Sequence, residues 1–293
     1  MSSVESSAQK VVAWFPGQGA QHVGMSRELL QNFPLARSTF EEASDAIGLD
    51  LRRLCLDGPD SELVKTENTQ PALLTSSIAA FRITQAEFGF EPQAAAGHSL
   101  GEYSALVASR SLSLPVAVRW VRERGIAMQR AVPEGQGTMA AVLGLADERV
   151  LALCVEASRA ATEKRAADPV AAADFTVDAI VQPANFNAPG QGVIAGSTDA
   201  VAAAIQLVKE GGDYKGGKAM GLAVSAPFHC SLMANARVRM AEIFSSVNDK
   251  DKPRELAFPY VPNRTARLSR EPGLVLELLI EQIDHPVLWR QSV

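Results

Sequence analysis

The stretch Gly97-His98-Ser99-Leu100-Gly101 constrains this 293-residue chain more than any other, because it can be accommodated only by a sharp turn. Ala94, Ala95 and Ala96 enter it as a short apolar run, and Glu102 to Ala108 leaves it as a series of good helix formers. Between a strand and a helix, a G-x-S-x-G stretch holds its serine where neighbours with a Cβ would clash. The helix that follows aims free backbone N–H groups at any anion forming there. Ser99 is therefore the candidate nucleophile. Small residues also gather at ordinary turns, so the pattern needs support from elsewhere in the chain.

A serine hydroxyl is a weak nucleophile until a base takes its proton. The chain offers four histidines, His22, His98, His229 and His285. His98 adjoins Ser99, and adjacent side chains on a tight turn point apart, which makes it a packing or hydrogen-bonding residue. His22 follows the Gly17-Gln18-Gly19 turn and is expected to open a helix, while His285 precedes Pro286 in a helix-ending segment. His229 lies beyond the apolar stretch Met220–Val224 and Pro227, ahead of a helical run from Ser231 to Phe244, and so on a loop at a strand end. Catalytic groups favour such loops. His229 is the base by elimination, against the alternative of a structural histidine.

From Val116 to Arg130, a helical spacing puts Ala117, Val121, Arg124 and Met128 on one stripe and Arg119, Arg122, Glu123 and Arg130 on the other side. Arg124 thus sits on an apolar face, where a guanidinium keeps its charge and needs a partner. That partner is either an internal Asp or Glu, or a substrate carboxylate held by two parallel hydrogen bonds.

With these residues in place, the chain resembles the malonyl-CoA:acyl carrier protein transacylases, the acyltransferases of fatty acid and polyketide synthesis. The resemblance rests on Phe15-Pro16-Gly17-Gln18-Gly19-Ala20-Gln21, Thr69-Gln70-Pro71-Ala72-Leu73-Leu74, Gly97 to Ser104, Arg124-Gly125 with Met128-Gln129, Asn185 to Gly190, and Pro227-Phe228-His229-Cys230, in the family's order. It implies that Ser99 accepts the acyl group, His229 is the general base and Arg124 clamps the free carboxylate of malonate. It also implies an oxyanion hole from the backbone N–H groups of Gln18 and Leu100, and a main-chain carbonyl of Gln282 that orients the histidine in place of a triad carboxylate. Phe228 beside the histidine, together with Leu100 and Met128, resembles the arrangement of malonyl-selective members, in which bulk crowds an α-methyl branch. Malonyl-CoA and the phosphopantetheine arm of an acyl carrier protein are then the two substrates. No cofactor and no metal are expected, and the protein is expected to act as a cytoplasmic monomer.

Composition is compatible with that reading and excludes others. With 47% hydrophobic residues the chain can bury a large core, and its net charge of −5 argues against a general nucleic-acid surface. No apolar run approaches the roughly 18 residues of a membrane span, and Met1 to Lys10 lacks the apolar core of a signal peptide. Cys55, Cys154 and Cys230 form no C-x-x-C pair, as suits a reducing compartment. There is no H-E-x-x-H, and His229-Cys230 alone cannot make a tetrahedral metal site. Gly17-Gln18-Gly19 invites a dinucleotide-loop reading, but His22 stands where the third glycine would be.

Strand-turn-helix segments alternate from Val11 to Arg130, the pattern of a parallel sheet covered by helices. Strand candidates at Thr138–Leu145 and Gly192–Ala195, with helical stretches at Asp147–Ala160 and Ala200–Glu210, read as a small inserted α+β unit. The fold class expected is α/β, an α/β-hydrolase-like parallel sheet in residues 1–134 and 221–293 with a ferredoxin-like subdomain in residues 135–220 and the site between them. Two departures from the family stand out. Ala157–Ala179, rich in alanine and charge, is expected as a solvated surface excursion, with helix extension as the alternative. The family pattern also continues beyond Ser292, so part of its C-terminal packing is expected to be missing. That shortening leaves room for a catalytically weak carrier-protein-binding module, and a serine esterase or thioesterase is the enzymatic alternative. Lys209, Lys215 and Lys218 are carrier-docking candidates or, equally, a solvated helix end.

Overall fold

The computed structural model describes residues 11–89 and 91–293, so Met1–Lys10, read above as no signal peptide, lies outside the described residues. Among them the strands run β1 (Val12–Phe15), β2 (Ala94–Gly97), β3 (Gly137–Leu143), β4 (Val181–Ala188), β5 (Gln191–Ser197), β6 (Lys218–Gly221) and β7 (Tyr260–Val261). They form two sheets.

The first sheet has the order β1-β2-β7 and is parallel, with Phe15 opposite Gly97 and Ala96 opposite Val261. β2 is a run of alanine and glycine buried throughout, which lets helices close on it tightly. Helix Leu100–Ala108 packs directly on this sheet, and with helices Thr66–Phe88 and Leu114–Arg130 packed around it carries a large share of the main core. Helix Leu100–Ala108 is buried at every position, so its N-terminus is fixed from all sides.

The second sheet is antiparallel, in the order β4-β5-β3-β6, with helices Asp147–Ala167 and Thr198–Glu210 packed on it around a separate apolar cluster that includes Val142, Leu153, Ile194 and Val201. β4 was not anticipated as a strand, and β6 lies at Lys218–Gly221, overlapping only the start of the apolar stretch Met220–Val224 read as a strand end. β4 carries Pro183 and is broken by register shifts at Pro183/Asn185 and Phe186/Ala188; as an edge strand it tolerates both. It also holds the C-terminal segment, since Phe186 N–H donates to the Val287 carbonyl at 3.0 Å and Val287 N–H to that of Ala184 at 2.9 Å.

Two expectations are corrected. The solvated excursion at Ala157–Ala179 is mostly helix: Asp147–Ala167 extends through half of it and Pro169–Ala172 adds a turn. Alanine, glutamate, lysine and arginine are strong helix formers, and Arg165 anchors the end with a two-pronged bond to Asp199 at 2.7 and 2.9 Å. His22 opens no helix; Gly24 and Ser26, at φ 95° and 64°, delay the helix to Arg27. No helix among the described residues is long and apolar enough to cross a membrane.

Candidate active site

The turn at Ser99 is built by close approach. A Cβ on Gly97 would stand 1.9 Å from the carbonyl group of Gly101, and one on Gly101 would stand 2.4 Å from the Phe15 carbonyl oxygen. Only glycine fits at either position, which is why the helix can start directly over the strand ends. Ser99 itself takes φ 51° and ψ −105°, a strained conformation for a residue with a side chain. Asn263, two residues past β7, holds it there: its Oδ1 accepts from the Ser99 N–H at 2.7 Å and its Nδ2 donates to the Gly97 carbonyl at 2.7 Å.

Ser99 Oγ lies 2.7 Å from His229 Nε2. His229 Nδ1 lies 2.8 Å from the main-chain carbonyl of Gln282, which can only accept, so the proton sits on Nδ1 and Nε2 is free to take the serine's. His229 also has a positive φ, 62°, again backbone strain held by its surroundings. Burial and then the neighbouring Arg124 charge push its imidazole down to about 3, so it is neutral throughout the physiological range.

Arg124 is 1% exposed, and the helical stripe read from the sequence is buried as a unit. Its Nη1 donates to Gln70 Oε1 at 2.9 Å, and its Nη2 donates to Ser99 Oγ at 3.0 Å and to Gln282 Oε1 at 2.7 Å. The guanidinium carbon also stands 5.8 Å from the Tyr103 ring centre. No carboxylate makes a salt bridge with it among the described residues; Glu102 acts on it through space and is joined to it by the Gln282 side chain, whose Nε2 donates to Glu102 Oε2 at 2.7 Å. The internal ion pair considered from the sequence is therefore not what satisfies Arg124.

These groups open on a cavity of about 210 Å³ lined by Gln18, Gln70, His98, Ser99, Arg124, Met128, Met139, Asn185, Asn187, Val193, Leu222, Val224, Phe228 and His229. The larger cavity of about 830 Å³, between β1 and helix Thr66–Phe88, contains no paired nucleophile and base. Size does not locate the chemistry here. His98 turns away from Ser99, with Nε2 2.9 Å from Asn187 Oδ1, as its place in the turn implies. Leu100 contributes differently from expectation: its side chain is buried in the main core and does not line the cavity, whereas its N–H, the first of the helix, belongs to the turn that has no intrahelical acceptor. The His285 imidazole does not line the cavity, its Nδ1 lying against Asp284 and the Glu281 carbonyl, while its backbone makes a hydrogen bond with His229.

Residues 13–254 match the acyl transferase domain family. The chain belongs to that family. Among its relatives, the malonyl CoA-acyl carrier protein transacylase of Salmonella typhimurium is 40% identical over 95% of this chain and 82% of its own length. That of Bacillus subtilis strain 168 is 40% identical over 97% and 82%. The acyl-carrier-protein S-malonyltransferase of Burkholderia pseudomallei 1710b superposes with a TM-score of 0.85 at 39% identity, covering 97% of this chain and 84% of that one. A malonyl-transacylase solved in complex with its type II PKS acyl-carrier protein superposes at 0.84 with 39% identity, covering 96% and 83%. The parallel sheet with its helices is thus the acyl transferase fold. Coverage this high lends no support to the expectation of a missing C-terminal part.

Sequence reasoning missed four contributors to this acyl transferase site: Gln70 and Glu102 as partners, Asn263, and the side chain of Gln282. Glu102 gave one signal, a charged residue within a stretch of small and apolar helix formers, whereas Gln70 follows the polar run Thr66-Glu67-Asn68-Thr69 and gave none. Asn263 gave none.

Proposed function

We propose that the chain transfers the malonyl group of malonyl-CoA to the phosphopantetheine thiol of an acyl carrier protein, through an ester on Ser99, for fatty acid synthesis. One observation carries this reading: a single serine oxygen lies within hydrogen-bond reach of both a neutral imidazole and a buried guanidinium that no carboxylate satisfies. A hydrolase of neutral esters has no use for the second.

His229 Nε2 takes the Ser99 proton as Oγ attacks the thioester carbonyl, and the Leu100 and Gln18 N–H groups receive the oxyanion. The carbon–sulfur bond breaks and the coenzyme A thiolate leaves with the proton from His229. Arg124 meanwhile holds the malonyl carboxylate. The carrier's thiol then repeats the sequence on the ester, with His229 again the base, and Ser99 is regenerated. The Gln282 carbonyl keeps the imidazole in its tautomer, the task an aspartate performs in a triad. Phe228 and Met128, both buried on the cavity wall, limit the acyl group's width.

The same reading treats residues 1–134 and 221–293 as an α/β-hydrolase-like unit and 135–220 as a ferredoxin-like insertion. Asn185, Asn187 and Val193 close the cavity from that insertion. It needs no cofactor and suits a cytoplasmic monomer that docks an acidic carrier protein. Intact-protein mass tests it. After malonyl-CoA, Ser99 gains a malonyl group that Ser99→Ala does not, and the group moves to phosphopantetheinylated carrier protein. A malonyl group lost only to water favours the hydrolase, and its absence from folded protein favours the non-catalytic module.

A further inference from the structure

We infer that Glu102 is a positioning residue for carboxylate recognition: it fixes the Gln282 side chain, which in turn holds Arg124 in line for the substrate. The inference rests on the reading just given. A carboxamide has an acceptor end and a donor end, and a guanidinium has donors only. The Gln282 amide therefore serves Arg124 only while its oxygen faces that side, where it accepts from Nη2 at 2.7 Å. What fixes the amide in that sense is the pair of acceptors at its other end, Glu102 Oε2 at 2.7 Å and the Ser99 carbonyl at 3.0 Å.

Glu102 is suited to the task by its own fixation. It lies in the first turn of helix Leu100–Ala108, fully buried, and its Oε2 also accepts from the Asn263 N–H at 3.0 Å. Asn263 is the same residue that holds the Ser99 backbone. Nucleophile turn and carboxylate clamp thus share one buried scaffold, with Glu102 and Asn263 behind it and Gln282 between. Gln282 alone reaches three participants, through its main-chain carbonyl to His229 and through its amide to Arg124 and the Ser99 carbonyl. Without an acceptor at position 102, the amide loses its shortest anchor and keeps only the Ser99 carbonyl at 3.0 Å and Asn263 Oδ1 at 3.5 Å, so its oxygen is held less firmly toward the guanidinium.

The test compares Ser99 acylation by malonyl-CoA and by acetyl-CoA, which lacks the carboxylate, in the whole protein and three variants. Glu102→Met removes the acceptor, Gln282→Met removes the amide but keeps the main-chain carbonyl, and Glu102→Gln keeps an acceptor oxygen. The ratio of malonyl to acetyl kcat/KM is expected to fall about tenfold in each Met variant, the scale of one hydrogen bond to a charged group. It falls no further in the double Met variant, because both act through one amide. Glu102→Gln stays near the parent.

Equal loss for both acyl donors in the Met variants, additive losses in the double variant, or a Glu102→Gln loss as large as that of Glu102→Met overturns the inference. If Glu102→Met does not fold, an unchanged ratio in Gln282→Met does so alone. Failure of the parent protein to be acylated at all is a different result, and removes the malonyl-transfer reading itself.

Discussion

Replacing Arg124 separates clamp from scaffold. A malonyl carboxylate received by a guanidinium fork makes two charge-assisted hydrogen bonds, each contributing about 1.5–3 kcal/mol. Losing both in Arg124→Ala removes about 3–6 kcal/mol, which lowers malonyl kcat/KM by roughly 10² to 10⁴-fold at about 1.4 kcal/mol per factor of ten. Arg124→Lys keeps a charge without the fork and recovers part of that. Acetyl transfer behaves otherwise, since acetyl has no carboxylate to lose and the Arg124 charge is the second cause, after burial, that pushes His229 down. Without that charge the imidazole becomes a stronger base, so acetyl kcat/KM holds within about tenfold of the parent. The variant also leaves Gln70 Oε1 and Gln282 Oε1 without their donor, costing about 1–3 kcal/mol each in stability, so thermal unfolding accompanies the kinetics. Rapid-quench mass spectrometry of acyl-Ser99 gives both rates. If malonyl and acetyl rates fall together by the same factor, Arg124 is scaffold only and the clamp is refuted.

Stability should carry the mark of His229. With the folded imidazole near 3 and the free value at 6.5, the unfolded chain takes up a proton below pH 6.5 that the folded chain refuses. The parent therefore loses stability relative to His229→Gln as pH falls from 6.5 towards 3, by about 2 kcal/mol between pH 7 and pH 5 in denaturant titrations; parallel pH profiles for the two would sink this. Phe228→Ala widens the cavity beside the dyad and should raise methylmalonyl relative to malonyl acylation by about 10 to 100-fold, the range of a methyl-sized steric wall. An unchanged ratio assigns selectivity to other walls. Reversing Lys209, Lys215 and Lys218, all exposed, is expected to raise the apparent KM for carrier protein and flatten its salt dependence while leaving malonylation by malonyl-CoA intact. If both stay as in the parent, the carrier docks elsewhere.

What was legible from sequence was chemistry that announces itself by type. A serine between glycines at a strand-helix turn, one histidine on a suitable loop and an arginine on an apolar stripe are each anomalous without any structure, and Ser99, His229 and Arg124 meet within hydrogen-bond distance. Neutral amides carry no such anomaly. Gln70, Gln282 and Asn263 become informative only once burial removes water and each polar atom must find a protein partner. The parallel sheet was legible because apolar strands alternate with long amphipathic helices. β4 was not, because a bulged edge strand with a proline and two asparagines looks locally like a loop. The Ala157–Ala179 segment is largely exposed, as its charge suggested, and its helix propensity makes most of it helix, the alternative left open from the sequence.

On the proposed reading, the donor inventory of Arg124 carries selectivity into the rate as well as into binding. Both edges by which a guanidinium forks a carboxylate include Nη2, and at rest Nη2 is fully engaged, by Ser99 Oγ and by Gln282 Oε1. A malonyl carboxylate must displace one of them. Gln282 is anchored at its far end by Glu102 and the Ser99 carbonyl, whereas Ser99 Oγ keeps its own donation to His229 Nε2 when the Arg124 bond is given up. The cheaper exchange releases Ser99 from Arg124 to the base alone, and it also neutralises the charge that depresses the imidazole. An acyl group without a carboxylate leaves serine shared between guanidinium and imidazole, with the base at its weakest. On that reading the substrate's own carboxylate completes the dyad, and malonyl and acetyl are expected to differ in kcat as well as in KM; equal kcat values for the two donors would refute it.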